Sequence, residues 1–143
     1  MDFKIQKLLK QKCVLKLTQY FVNRMTSTLA TRIAAAMGLL AVALGAFGAH
    51  GLKNVFAQNG MAHVWETAVF YHFIHAGMLF VLVERKTFPT VAWWSFLVGI
   101  FLFSGSLYLL AVTDVHWLGV ITPFGGLSFL FGWGWLIFKP ARE

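Results

Sequence analysis

Acidic residues and cysteine are scarce in this sequence. Its 143 residues include five Asp and Glu against twelve Lys and Arg, and Cys13 is the single cysteine. One cysteine excludes an intrachain disulfide, and its surroundings lack the spacing of a metal site. A nucleophile with a nearby base, a glycine-rich phosphate loop and paired carboxylates on one helix face are missing as well. We therefore expect no enzyme, no cofactor and no metal site.

Charge of either sign is also low. Charged residues make up 12% of the chain, against roughly 25% in soluble domains. Hydrophobic residues make up 59%, and the mean hydropathy is +0.71. Because a soluble chain of this length must expose much of its surface to water, the composition indicates a membrane protein in contact with lipid. The net charge of +7 does not indicate nucleic-acid binding, since the cations lie in terminal and loop segments.

Long runs without a formal charge predict helices that span the membrane. The first run, from Ile33 to Leu52, has 20 residues, about the length that crosses a ~30 Å hydrocarbon core. A polar stretch with the turn signal Asn59-Gly60 follows it. Thr122-Pro123 favours a regular helix that begins at Pro123, with 115–121 as an interfacial segment. The predicted fold class is all-α, an integral membrane bundle of four transmembrane helices at about 31–52, 63–84, 91–113 and 116–138.

The distribution of lysine and arginine predicts the orientation of this bundle. Eleven cations lie on the side of both termini and of the 85–90 turn, and only Lys53 lies on the other side. Because inner segments carry the excess of Lys and Arg, both termini are expected inside (N-in/C-in). The tryptophans are expected to form interfacial belts, with Trp65 and Trp117 outside and Trp93, Trp94, Trp133 and Trp135 inside. The bacterial inner (plasma) membrane is favoured over the mitochondrial inner membrane.

Residues 1–24 form a basic N-terminal extension ahead of the four-helix transmembrane domain, 25–143. They carry six cations against Asp2. These cations scatter around a helix instead of lining one face, so an amphipathic surface helix is weakly supported, and the apolar core of a signal peptide is missing. Two interpretations stay open: an extension upstream of a usual start at Met25, or a mitochondrial-type presequence.

The second predicted helix carries ionisable residues at membrane depth, which makes them functional candidates. Tyr71, His72 and His75 share one face, whereas Glu66 lies about 180° away around the helix. Two histidines leave a zinc shell incomplete, and no other helix supplies a histidine at matched depth for haem. Hydrogen bonding between helices is therefore favoured. The candidate intramembrane polar cluster is Tyr71, His72, His75, Ser104, Ser106 and Tyr108.

A further group of polar residues is expected near the outer headgroup region. Charge is tolerable there, because side chains can pair or reach water. One interpretation is interfacial anchoring. The other is a shallow polar pocket in which Glu66 or Asp114 binds a cation or a proton. The candidate outer polar cluster is His50, Glu66, Asp114, His116 and Thr122, with Lys53 and His63 nearby.

Several short sequence words occur in a distinctive order. They are LGAFGAHGL at 44–52, Trp65 with Thr67, Tyr71 and His75, FSGSLYLL at 103–110, TPFGG at 122–126, and Gly132-Trp133. Together they resemble the domain of unknown function 423 family, which includes YgdD-like bacterial inner-membrane proteins and related small mitochondrial proteins of animals. The resemblance covers about 25–138. It implies a small four-helix inner-membrane protein whose biochemical role is not established.

The resemblance also suggests a shared role for the small residues in these words. Small side chains at every fourth position from Ala41 to Ala49 would let another helix backbone come close. The other matched glycines extend this interpretation to the later helices. The candidate helix-packing residues are Gly45, Gly48, Ala49, Gly105, Gly125 and Gly126.

These features favour association over chemistry. The leading hypothesis is an accessory or scaffolding subunit that acts through helix–helix association, with other membrane protein subunits or with copies of itself. The alternative is a small oligomeric transporter or channel that moves a proton, a cation or a small solute past His72, His75 and Glu66.

Overall fold

The computed structural model describes residues 28–85 and 87–139, and the basic extension 1–24 lies outside them. The described residues are helical, with no strand among them. They include four helices long and apolar enough to cross a membrane. This confirms the predicted fold class, and the boundaries differ from those expected by a few residues at most. We call these helices spans 1 to 4: Thr28–His50, Ala62–Val83, Thr90–Thr113 and His116–Phe138.

A short helix, Lys53–Asn59, connects spans 1 and 2 where the sequence predicted only a polar turn. Leu52 and Phe56 lie one helical turn apart and are buried, in a cluster that also contains Trp65. Gly60 ends this helix with a φ of 69°, a left-handed conformation that glycine adopts without a steric penalty. The connecting helix is therefore packed against the rest of the bundle.

Span 3 is not a uniform α-helix. Its parts are an α-helix at Thr90–Gly99, a π-helical turn at Ile100–Ser104 and a second α-helix at Gly105–Thr113. The backbone N–H of Gly105 donates to the carbonyl of Ile100, five residues back. A π turn accommodates one extra residue within an α-helix, so it changes which side chains share a face across span 3.

The regular helix of span 4 begins within one residue of Pro123, as predicted, but Thr122 is part of the helix and makes no side-chain cap. A 3₁₀ turn occupies His116–Val120, and the regular helix runs over Thr122–Phe138 with proline in its first turn. Proline suits that position because its fixed φ is helical and its missing N–H would have no partner there.

Spans 2, 3 and 4 enclose the larger core, and span 1 packs against them through small residues. Span 3 contacts span 4 antiparallel, since Ser95 meets Ser128 while Phe103 meets Gly125. In span 1, Ala30, Ala34 and Ala41 are buried at intervals of four and seven residues. A stripe of small side chains lets helices approach closely without a large interlocking side chain. The core residues are Ala30, Ala34, Leu79, Leu82, Val83, Ala92, Trp93, Phe96, Leu97, Ile100 and Phe129.

Candidate functional site

His75 joins span 2 to span 4 inside the bundle. Its Nδ1 lies 2.8 Å from the carbonyl oxygen of Tyr71, and its Nε2 lies 3.3 Å from the indole nitrogen of Trp133. The carbonyl needs a donor, while the indole N–H needs an acceptor. The ring therefore carries its proton on Nδ1 and is neutral. Phe129 stacks on it at a centroid distance of 3.6 Å, which excludes water from that face.

His72 joins span 2 to span 3. Its Nδ1 lies 3.3 Å from the phenolic oxygen of Tyr108. The backbone of Met37, on span 1, lies beside the same ring. Its Nε2 is buried without a hydrogen-bond partner among the described residues. His72 thus lies where spans 1, 2 and 3 meet.

Ser106 joins span 3 to the start of span 4. Its hydroxyl donates to the carbonyl of Leu102 at 2.6 Å, within its own helix, and Thr122 Oγ1 lies 2.9 Å from the same oxygen. Because the serine proton is already directed to a carbonyl, the threonine hydroxyl is the donor of this pair. Ser104 is fully buried, and its hydroxyl has no partner among the described residues.

The intramembrane polar cluster is thus a set of separate contacts between spans. His75, His72 and Ser106 each connect span 2 or 3 to a different neighbour. Tyr71 differs from them: it is 38% exposed on the outside of the bundle, and its hydroxyl makes no hydrogen bond within residues 28–85 and 87–139.

The residues of the outer polar cluster differ in their surroundings. His50, Glu66, Asp114 and His116 are exposed, and Thr122 instead pairs with Ser106 inside the bundle. His116 Nδ1 lies 3.8 Å from a carboxylate oxygen of Asp114, an exposed contact that contributes little to stability. Within the described ranges, no three His, Cys, Asp or Glu side chains come together where they could hold a metal ion.

Three of the six proposed packing residues lie where another helix approaches. A Cβ on Gly125 would overlap the backbone nitrogen of Phe103, one on Gly48 would overlap the indole of Trp65, and one on Gly45 would lie 3.3 Å from Val69. A Cβ on Gly126 would lie 3.8 Å from the ring of Phe103, an ordinary van der Waals contact. The nearest heavy atom to a Cβ on Gly105 is the carbonyl oxygen of Ile100, at 4.0 Å in its own span. Ala49 is exposed.

Other contacts between spans were not expected from the sequence. Gly99 faces the ring of Phe129, and Gly132 faces Phe96 and Ser95. Ser128 donates to the carbonyl of Ser95 at 2.8 Å. Gly125, Ser128 and Gly132 recur at intervals of three and four residues. This helical period could have identified them as one face of span 4 that contacts span 3.

Several tryptophans form contacts inside the bundle. Trp65 and Trp93 are 5% and 2% exposed. The indole N–H of Trp65 donates to the carbonyl of Leu44 at 3.1 Å, which ties span 2 to span 1. Trp133 donates to His75. The side-chain amide of Asn59 donates to the carbonyl of Ala111 at 2.9 Å, which joins the connecting helix to span 3. The turn signal at Asn59-Gly60 did not predict this hydrogen bond.

Comparison with known proteins places the chain among bacterial membrane proteins. The family described as "Protein of unknown function (DUF423)" matches residues 44–126. UPF0382 membrane protein YwdK of Bacillus subtilis is 47% identical over 110 residues, covering 73% of this chain and 89% of that protein. A UPF0382 membrane protein of Haemophilus influenzae is 40% identical over 106 residues, covering 71% of this chain and 84% of the relative. No solved structure matches the chain.

The matched region, 44–126, contains four of the five sequence words noted above, including Trp65, His75 and Gly125. It also contains the contacts that join span 2 to span 3. The four spans and the similarity to membrane proteins of two bacteria agree on a multi-pass bacterial membrane protein. The chain belongs to the DUF423 family, whose function is unknown.

Proposed function

We propose that this protein is an accessory or scaffolding subunit that acts by helix–helix association in the membrane and not by catalysis. The observation that carries the proposal is the position of Tyr71. It lies nine residues into span 2, about 14 Å along the helix at 1.5 Å per residue and so near the middle of a ~30 Å core.

A tyrosine hydroxyl at this depth has no water with which to hydrogen-bond. Lipid tails supply no partner either, so an unpaired hydroxyl there is unfavourable and favours contact with a polar group on another helix. Tyr71 is 38% exposed and flanked by Phe70 and Ile74, which are also exposed. An acceptor or donor on a neighbouring subunit would satisfy the hydroxyl, and the flanking side chains would pack around it.

The test compares two tyrosine variants of the full chain. Tyr71→Phe removes only a hydroxyl that has no hydrogen-bond partner within the described residues, whereas Tyr108→Phe removes the hydroxyl that contacts His72 inside the bundle. The tagged protein would be purified from its native membrane in mild detergent, with cross-linking and mass spectrometry. We expect Tyr71→Phe to reduce recovery of a partner or a self-associated form, while Tyr108→Phe preserves it. A wild-type protein that is monomeric without a stoichiometric partner would refute the proposal.

A small oligomeric transporter or channel is the second candidate. The observation in its favour is that His72 Nε2 and Ser104 Oγ are buried without partners in the described structure, since unpaired polar atoms at membrane depth can serve a passing ion or proton. Reconstituted liposomes would be assayed for proton and cation flux. Flux no higher than that of a His72→Ala, His75→Ala variant would refute transport.

A further inference from the structure

A groove lies between the end of span 1, the connecting helix and the first half of span 2. Its volume is about 710 Å³. Gly45, Gly48 and Ala49 form one wall. Of these only Ala49 is exposed, since Gly45 and Gly48 face Val69 and Trp65 of span 2. Apolar side chains supply most of the remaining lining, and Lys53 and Glu66 are its charged members. The remaining lining residues are Phe56, Ala57, Ala62, Trp65, Val69, Phe70, Phe73 and Ile74.

The depth of the groove matches one leaflet of a bilayer. On span 1 its lining extends from Gly45 to Ala49, and on span 2 from Glu66 to Ile74, eight residues further along that helix. Eight residues of helix rise about 12 Å, and half of a ~30 Å hydrocarbon core is about 15 Å. A transmembrane helix of a partner crosses both leaflets and would need a groove about twice as long. The acyl chain of a lipid ends near the midplane, as this groove does.

The charged groups of the groove lie at one end of it. Lys53 begins the connecting helix and Glu66 lies in the first turns of span 2, so both are at the same membrane surface. Both side chains are exposed, and they form no ion pair with each other. An ammonium group and a carboxylate that line the same groove complement a headgroup that carries a phosphate and an amine.

We propose that this groove binds one phospholipid with a phosphoethanolamine headgroup. Lys53 contacts the phosphate, Glu66 contacts the amine, and one acyl chain lies against Ala49, Val69 and Phe73. The surrounding lipid is the source of this ligand. Tyr71 itself does not line the groove, although its neighbours Phe70 and Ile74 do, so the Tyr71 hydroxyl is what distinguishes the proposed contact between subunits from this lipid site.

The first experiment fills the groove with a side chain. Ala49 lines the groove and is exposed, so Ala49→Phe occupies the space of the acyl chain without entering the core. Ala43→Phe is the matched control, because Ala43 is also exposed on span 1 but does not line the groove. Native mass spectrometry of the full chain, with added phosphatidylethanolamine, measures bound lipid. We expect about tenfold lower occupancy for Ala49→Phe, a difference of ~1.4 kcal/mol, and wild-type occupancy for Ala43→Phe.

The second experiment tests the headgroup contacts. With phosphatidylethanolamine and phosphatidylglycerol in competition, Glu66→Gln should abolish the preference for the amine lipid, and Lys53→Gln should weaken binding of both. Glu84→Gln is the control, since Glu84 lies at the opposite end of span 2. Tyr71→Phe should leave lipid binding unchanged, which separates this proposal from the association of subunits.

A covalent probe covers the case in which a substituted variant does not fold. Phosphatidylethanolamine with a diazirine near the end of its acyl chain would be irradiated with the wild-type protein. Cross-links to the peptide that contains Val69 and Phe73 support the proposal. Equal occupancy in Ala49→Phe and Ala43→Phe, cross-links confined to span 4, or a second protein chain cross-linked in the groove would each overturn it.

Discussion

At the scale of single residues, His75 lies between two hydrogen bonds that require different ring nitrogens. Nδ1 donates to the carbonyl of Tyr71, and Nε2 accepts from Trp133. A protonated ring would have a donor at both nitrogens and would lose the second bond. The neutral ring therefore suits the apolar interior, where a charge would be unfavourable. Its position favours a structural contact over proton transfer.

A double-mutant cycle tests this contact. His75→Phe keeps an aromatic ring opposite Phe129 but removes the acceptor, and Trp133→Phe removes the donor. Because hydrogen bonds between helices in membranes average about 0.6 kcal/mol, up to about 1.7, we expect a coupling energy in that range. Reversible unfolding in mixed micelles measures it. His63→Phe, at an exposed histidine near the start of span 2, should change stability by less than about 0.5 kcal/mol. Strictly additive effects would contradict the hydrogen bond.

Gly125 allows the closest approach of spans 3 and 4. Its missing side chain faces backbone atoms of Phe103, which cannot rotate away as the end of a side chain can. We expect Gly125→Ala to destabilise the protein by about 1–3 kcal/mol, as overpacking does. Gly134→Ala is the control, since no heavy atom lies within 4 Å of a Cβ there. Thermal unfolding of both variants measures this difference. Equal stabilities of the two variants would contradict a tight contact between spans 3 and 4 at Gly125.

At the scale of the element, the π turn Ile100–Ser104 sets the register of span 3. Beyond it, Ser106 faces Thr122 and Tyr108 faces His72. A residue inserted as a π turn leaves the helices on its two sides close to their original orientation. Removal of the extra residue should therefore convert the turn to α-helix while these two contacts persist.

The corresponding prediction concerns single-residue deletions. We expect a variant that lacks Phe101, an exposed residue of the π turn, to fold with helix content close to that of the wild type. Leu109 is also exposed but lies in the regular helix, and a variant that lacks it should lose stability. Deletion of one residue from an α-helix rotates all residues on one side by about 100° and so misplaces their side chains. Circular dichroism and unfolding in detergent measure both. If the Phe101 deletion is the more damaging, the π turn itself is required.

At the scale of the whole molecule, the distribution of charge predicts the orientation in the membrane. Eleven of twelve Lys and Arg lie on the side of the termini and of the 85–90 turn, and positively charged segments stay inside. In a Cys13→Ser background, a membrane-impermeant maleimide should label Gln58→Cys in intact cells and Thr87→Cys only after permeabilisation. Both positions are exposed. The reverse pattern would refute the orientation, and labelling of both positions in intact cells would refute the arrangement of four spans.

The sequence predicted the spans better than it predicted the contacts between them. The start of the last helix near Pro123 was predicted because the preference of proline for the first helical turn acts within a few residues. The capping role expected for Thr122 was wrong, because Thr122 lies within the helix and its hydroxyl pairs with Ser106 on span 3. The connecting helix Lys53–Asn59 was missed because Leu52 and Phe56 reveal its buried face only once Trp65 is beside them. The packing role of Gly99 was missed because Phe129, its neighbour, lies thirty residues further along the chain.

The amino-acid sequence by itself determined that this chain enters a membrane as four helices. Uncharged runs of about 20 residues and the charges between them are local properties, and transfer into lipid depends on them directly. Only the tertiary structure decided the partners of the polar groups: Trp133 for His75, Tyr108 for His72, and Thr122 for Ser106. Those pairings depend on the rotation and register of helices distant in sequence, and the π turn within span 3 shifts by one residue which side chains share a face without altering composition or hydropathy.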